Sequence, residues 1–211
     1  MKRITEPNPI AWTVVGIAFF SCLVVILSAL VIAGFTDKAF VYSIRVIVKF
    51  AFMFFAMSYI AAPLYRVSSS RVAAFLMRHR ATTGATFAVC QLMAAVCVGF
   101  IWFNYFYIIE AISSPVERVL GLIVLGWIFL MLLTSSKTVR QALSVHAWGK
   151  LQKYGMMVIW IAYLLDYGRR TIEWSPIFGI FVAILLAIFV LRLAALLGIG
   201  ATTKQQLSVQ G

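Results

Sequence analysis

Charged side chains divide this chain into six long apolar stretches, and the stretches carry most of what the pattern says. The first, residues 10–35, holds no Asp, Glu, Lys or Arg. At about 1.5 Å of rise per residue it is longer than the roughly 30 Å hydrocarbon core of a bilayer. Water cannot satisfy backbone amides inside that core, so uncharged runs of this length predict helices that close their own hydrogen bonds. The same pattern predicts further spans over residues 39–65, 82–109, 119–133, 150–165 and 176–197. Thr36-Asp37-Lys38 predicts a tight turn, and Ser113-Ser114-Pro115 breaks the chain between the third and fourth spans. The expected fold class is all-α: a polytopic membrane protein with six transmembrane helices in one bundle, residues 1–211 forming a single transmembrane domain. The polar segment 200–211 is expected to be a disordered tail.

Composition sharpens this picture. Hydrophobic residues make up 64% of the chain and charged residues 11%, and the mean hydropathy is +1.01. Soluble domains run near 45–50% apolar and about 25% charged, so a water-soluble core is excluded. Six spans within 211 residues leave no room for a soluble nucleotide-binding or catalytic domain, so a soluble partner is expected to be a separate molecule. Met1-Lys2-Arg3 ahead of an apolar run has the outline of a signal peptide. That run is far longer than the roughly 7–15 residues of an h-region, so it is expected to stay as the first helix. Cys22, Cys90 and Cys97 lie inside apolar segments without C-x-x-C spacing and are expected to be small packing residues rather than disulfide or metal partners.

Loops kept in the cytoplasm accumulate Lys and Arg, which orients the spans. One side collects Lys2, Arg3, Arg66, Arg71, Arg78, Arg80, Lys137, Arg140, Lys150, Lys153 and Lys204, with Glu6 as the only acid. The other has Lys38, Arg118, Arg169 and Arg170 against Asp37, Glu110, Glu117, Asp166 and Glu173. The expected location is the cell inner (plasma) membrane, multi-pass, with both termini cytoplasmic. The net charge of +12 then follows from topology and anionic lipid contact, with the lipid bilayer as partner and no nucleic acid.

Arg45 and Lys49 fall outside this loop pattern. They are four residues apart, hence on one helical face, about 10 and 16 Å into the membrane counting from Lys38. One reading makes that face the lining of a polar cavity for an anionic group, such as a haem propionate, a quinone or a carboxylate partner. The other has both cations reaching a helix end, a lipid phosphate or Asp37. Arg192 lies close enough to the cytoplasmic end to snorkel. Phe100, Trp102, Phe103, Tyr105, Phe106 and Tyr107 are expected to form an interfacial aromatic belt.

Several segments share the order of a known pattern. They are residues 45–64, then Leu76-Met77-Arg78-His79-Arg80-Ala81-Thr82-Thr83-Gly84 and Phe87-Ala88-Val89. In the second half come Leu133-Thr134-Ser135-Ser136, Trp148 with Leu151, then Gly155, Trp160 and Tyr163, and finally Leu191-Arg192-Leu193-Ala194-Ala195. Together they resemble the ferric-reductase-like transmembrane domains of bacteria. The resemblance implies a six-helix bundle carrying haem b between helices 3 and 5 and passing electrons across the membrane to a metal ion, oxygen or a redox partner. Two axial ligands, usually His, face each other in such a bundle.

The chain departs from that pattern at the ligands. Gln91-Leu92-Met93-Ala94 stands where family members show a ligand His in helix 3, Gln152 stands where they show one early in helix 5, and Leu165 and Asp166 occupy a further position. Only His79 and His146 exist, both in or beside cytoplasmic loops and expected to be solvated or headgroup-facing. Met93, Met156 and Met157 are expected to fill packing gaps rather than ligate iron. Gln91 and Gln152 are expected either to hydrogen-bond each other across the former pocket or to donate to another ligand, for example a quinone carbonyl. The candidate residues of this altered pocket are therefore Gln91, Ala94, Gln152, Arg45 and Lys49. No Ser/His/Asp set, metal-ligand spacing or phosphate-cradling Gly loop can be assembled from the sequence. The expected function is a haem-poor or haem-free relative serving as a membrane scaffold or partner subunit. The alternative is transmembrane electron transfer as an oxidoreductase subunit, through haem with unusual ligands or a quinone.

Overall fold

The computed structural model describes residues 9–68, 70–134 and 144–198. They form α1 (Pro9–Ala33), α2 (Asp37–Val67), α3 (Arg71–Asn104), α4 (Phe106–Ile112), α5 (Pro115–Leu133), α6 (Val145–Glu173), a 3₁₀ turn (Pro176–Phe178) and α7 (Gly179–Leu196), with no strand among the described residues. The expected all-α class holds. Five segments, Trp12–Ala33, Asp37–Val67, Arg71–Asn104, Pro115–Leu133 and Pro176–Leu196, are long and apolar enough to cross a membrane. The tail 200–211, Lys137 and Arg140 lie outside the described residues.

α6 is the exception among the long helices. It carries Lys150, Lys153, Asp166, Arg169, Arg170 and Glu173, and its uncharged part, residues 154–165, spans only about 18 Å. Its apolar side chains are concentrated on one stripe, where Met156, Ile159, Trp160, Tyr163 and Tyr167 are all buried. That i, i+3, i+4, i+7 spacing is a helix packed on one side by its neighbours.

Helix boundaries move from the expected ones for local reasons. Charges place a sequence boundary before Thr82, but Ser70 caps the helix by accepting from the Ala73 amide at 3.2 Å, so α3 starts at Arg71. It ends at Asn104, because Tyr105 leaves helical geometry at φ −140 and ψ 45, and α4 follows as a separate short helix. Ser114 and Glu117 form a reciprocal capping box that starts α5 at Pro115 rather than 119. Ser144 caps α6 through the Ala147 amide at 3.1 Å, and the helix runs through the charged residues to Glu173. Gly34, at φ 69, supplies the left-handed residue that ends α1.

The bundle is built around α2. It lies against α1, α3 and α7, while α6 packs on α5, on α7 and on the 3₁₀ turn. α2 and α3 run antiparallel, with Phe40 stacked on Phe100 at 4.1 Å and Phe55 against Phe87 at 5.4 Å. α2 and α6 are also antiparallel, since Phe52 meets Tyr167 at 5.3 Å and Phe55 meets Tyr163 at 5.2 Å. α5 approaches α6 closely at Gly155, where any Cβ would run into the Met131 side chain. Large apolar side chains face outwards along α1, with Ile17 61%, Val24 63% and Val31 86% exposed. α7 repeats this at Ile180 and Val190. Apolar surface this extensive calls for a hydrocarbon environment rather than water.

All three cysteines are free and buried, as expected of packing residues. The pairing was not visible from spacing: the Cys22 thiol of α1 meets the Cys90 thiol of α3 at 3.7 Å. A disulfide needs its sulfurs near 2.05 Å, a small movement from here. Copper-phenanthroline treatment of membranes should therefore join Cys22 to Cys90 and leave Cys97 free, as read by peptide mass spectrometry. Recovery of all three as free thiols would contradict the α1–α3 packing.

Candidate functional site

The region between α3 and α6, where the resemblance would put a cofactor, is filled by aromatic rings from these helices and from α2. Phe55 is fully buried and touches Tyr59 at 5.4 Å, Phe87 at 5.4 Å and Tyr163 at 5.2 Å. Phe52 stands edge-on to Tyr163, Tyr167 and Phe181 at 5.4, 5.3 and 5.1 Å. Tyr163 and Tyr167, one turn apart on α6, stack on each other at 5.8 Å. Ala94 and Met156 complete the same core. Such pairs contribute about 0.5–1.5 kcal/mol each beyond the area they bury.

Gln91 and Gln152 do not meet. The side-chain nitrogen of Gln152 donates to the Met131 carbonyl of α5 at 3.4 Å. Gln91 Oε1 is buried without a hydrogen-bond partner among the described residues. The reason is register: α3 and α6 run in the same direction with Phe87 level with Tyr163. Counting from that level, Gln91 and Gln152 lie about 20 Å apart along the bundle axis. The cross-pocket hydrogen bond expected from sequence is absent.

The donors present do not form an axial ligand set for haem. His79 sits in the first turns of α3 with its ring 4.5 Å from Phe75, and His146 is exposed at the start of α6. Both lie at the basic end of the bundle, away from the ring-filled interior. Met93 and Met156 pack in the core, and Met157 is 43% exposed. Like Gln91 Oε1, the hydroxyls of Tyr163 and Tyr167 are buried with no hydrogen-bond partner among the described residues. In the sequence Tyr163 stood out only as part of the resemblance pattern, and Tyr167, one turn further along α6, carried no signal of its own.

Arg45 and Lys49 are exposed and turn towards the aromatic α6–α7 connection. The Arg45 guanidinium lies over the Trp174 ring at 5.5 Å, and Lys49 Nζ over Phe178 at 5.9 Å. Trp174 also takes Arg170 at 5.4 Å, and Arg170 is held by both Asp166 oxygens at 3.0 Å. A groove of about 450 Å³ beside Lys49 is lined by Ser21, Cys22, Val25, Phe50, Met53 and Phe181. Its lining is apolar apart from Lys49 and the small Ser21 and Cys22 side chains. Cation–π contacts of this kind offset part of the cost of a cation near lipid, by about 0.5–2 kcal/mol.

The same end gathers the acids. Glu117 of α5 pairs with Arg169 of α6, which also lies 3.3 Å from Glu173. These pairs are about one-third to one-half exposed, so each is worth at most about 1 kcal/mol. The value of the Glu117–Arg169 pair is positional, because it ties the start of α5 to the end of α6. Compared with models of protein families, with curated proteins and with solved structures, this chain matches none.

Proposed function

We propose that this chain is an inner-membrane protein of six spans, with α6 as the sixth crossing helix and both termini cytoplasmic. In this reading it is a haem-free relative of the ferric-reductase-like domains acting as a membrane scaffold or partner subunit. The observation that supports it is the buried core of Phe52, Phe55, Phe87, Tyr163 and Tyr167, which fills with rings the region where the resemblance would put a cofactor. For the sixth span, the support is that α6 is as long as its neighbours, packs on α5 and α7, and buries a continuous apolar stripe. Helix directions inferred from the contacts also put Asp37, Glu110, Glu117, Asp166 and Glu173 at one end. Arg66, Arg71, Arg78, Arg80, Lys150 and Lys153 fall at the other.

A second reading keeps electron transfer through a quinone. It rests on the unpartnered Gln91 Oε1 and the Tyr163 and Tyr167 hydroxyls, polar groups that a carbonyl- or hydroxyl-bearing ligand would satisfy.

Reporter fusions test the topology. Fusions at the His79 and His146 turns should report cytoplasm, and fusions near Pro115 and Arg170 the opposite face. A fusion after Arg170 that reports cytoplasm would remove α6 from the spans.

A further inference from the structure

At the basic end of the bundle, arginines of α3 and α7 meet the same turn of α2, and a third arginine follows on α2 itself. The Arg192 guanidinium of α7 lies over the Tyr59 ring of α2 at 4.9 Å. Next to Tyr59 on α2, the Ser58 hydroxyl donates to the Arg80 carbonyl of α3 at 3.4 Å, so Arg80 and Arg192 meet the same turn of α2. Gly84 allows this approach, since a Cβ there would sit 3.3 Å from Ser58 Oγ. Arg66 follows Tyr59 by two helical turns on the same face, about 10 Å further towards the basic end. The charges of Arg66 and Arg192 both act on Arg80.

Nothing acidic compensates this group among the described residues. The ion pairs found there involve only Arg169 and Arg170, at the opposite end. Arg80 and Arg192 are half-buried and Arg66 is exposed beside them, and like charges gathered at one end of a bundle without a carboxylate repel one another unless an anion lies among them. A guanidinium presents paired N–H donors that match phosphate oxygens. Basic pockets between membrane helices on the cytoplasmic side suit anionic headgroups.

We propose that Arg66, Arg80 and Arg192, with Tyr59 as the platform under Arg192, form a binding site for a phosphate ester anion, supplied by the headgroup of an anionic phospholipid. The site rests on the membrane reading above. Alkaline carbonate extraction of the same membranes tests that reading separately.

The test is thermal unfolding of the purified full chain in neutral detergent, with phosphatidylglycerol, phosphatidylcholine or inorganic phosphate added. A site near saturation should raise Tm by about 5–10 °C with phosphatidylglycerol and leave it unchanged with phosphatidylcholine. Arg192→Gln and Arg80→Gln should each weaken the phosphatidylglycerol effect at least about tenfold in concentration. Lys150→Gln with Lys153→Gln, at the same end but outside the cluster, should keep it. Circular dichroism of each variant verifies folding, and Arg192→Lys, which keeps the charge but loses the paired donors, should fall between. An equal rise with inorganic phosphate alone would uphold the phosphate site and assign it a soluble ligand. Equal shifts with both lipids, no shift at all, or loss in the Lys150/Lys153 variant matching that in the arginine variants would overturn the proposal.

Discussion

Phe55→Ala should lower stability by about 3 kcal/mol, the largest effect expected of any single truncation here. Phe55 is fully buried and touches Tyr59, Phe87 and Tyr163, so its removal empties the centre where α2, α3 and α6 meet. In soluble cores Phe→Ala costs about 3–5 kcal/mol. The lower end applies in a bundle surrounded by lipid, because packing rather than transfer from water holds the helices together. For a chain of this size that corresponds to a fall in Tm of about 6–12 °C in detergent. Phe103, 87% exposed on α3, provides the control, and its alanine variant should melt with the parent. If Phe55→Ala also melted with the parent, the interior would not be the ring-filled core described.

The presence and order of the long helices were legible in the sequence, because a bilayer demands length and apolarity and both can be counted. Their ends were less so. Charges at Arg71, Arg78 and Arg80 mark a polar surface, not a helix start, and the Ser70 cap lets α3 run through them. α6 was read too short for the same reason: Asp166, Arg169 and Arg170 stay helical because they pair with each other, with Glu117 and with Glu173. Register was not legible at all. Gln91 and Gln152 look equivalent as polar residues in apolar runs, and only the level set by Phe87 and Tyr163 separates them. Cys22 and Cys90 are 68 positions apart and have no spacing signature, yet their thiols meet. Arg45 and Lys49 were found by depth and helical spacing, but their partners were not: Trp174 lies between two predicted spans, and Phe178 was read as the start of an unbroken sixth span rather than part of a turn. The arginine cluster escaped because its members belong to three helices and each reads singly as a topology signal.

The remaining large effect concerns the cofactor. Haem in a bundle of this kind needs two axial donors projecting at matching depth from facing helices. Here the interior offers Phe55, Phe87, Ala94 and Tyr163, and the histidines sit at the basic end. Substituting Gln91→His together with Gln152→His should not create a six-coordinate centre, since the two positions differ in depth by about 20 Å and Gln152 faces Met131. The decisive measurement is the reduced-minus-oxidised optical spectrum of the unmodified protein, expressed with ample haem and purified from membranes. The expected result is far less than one haem per chain and none of the sharp reduced bands of a low-spin b-type centre. A stoichiometric, low-spin haem spectrum would contradict the proposal of a haem-free relative and favour electron transfer as the function.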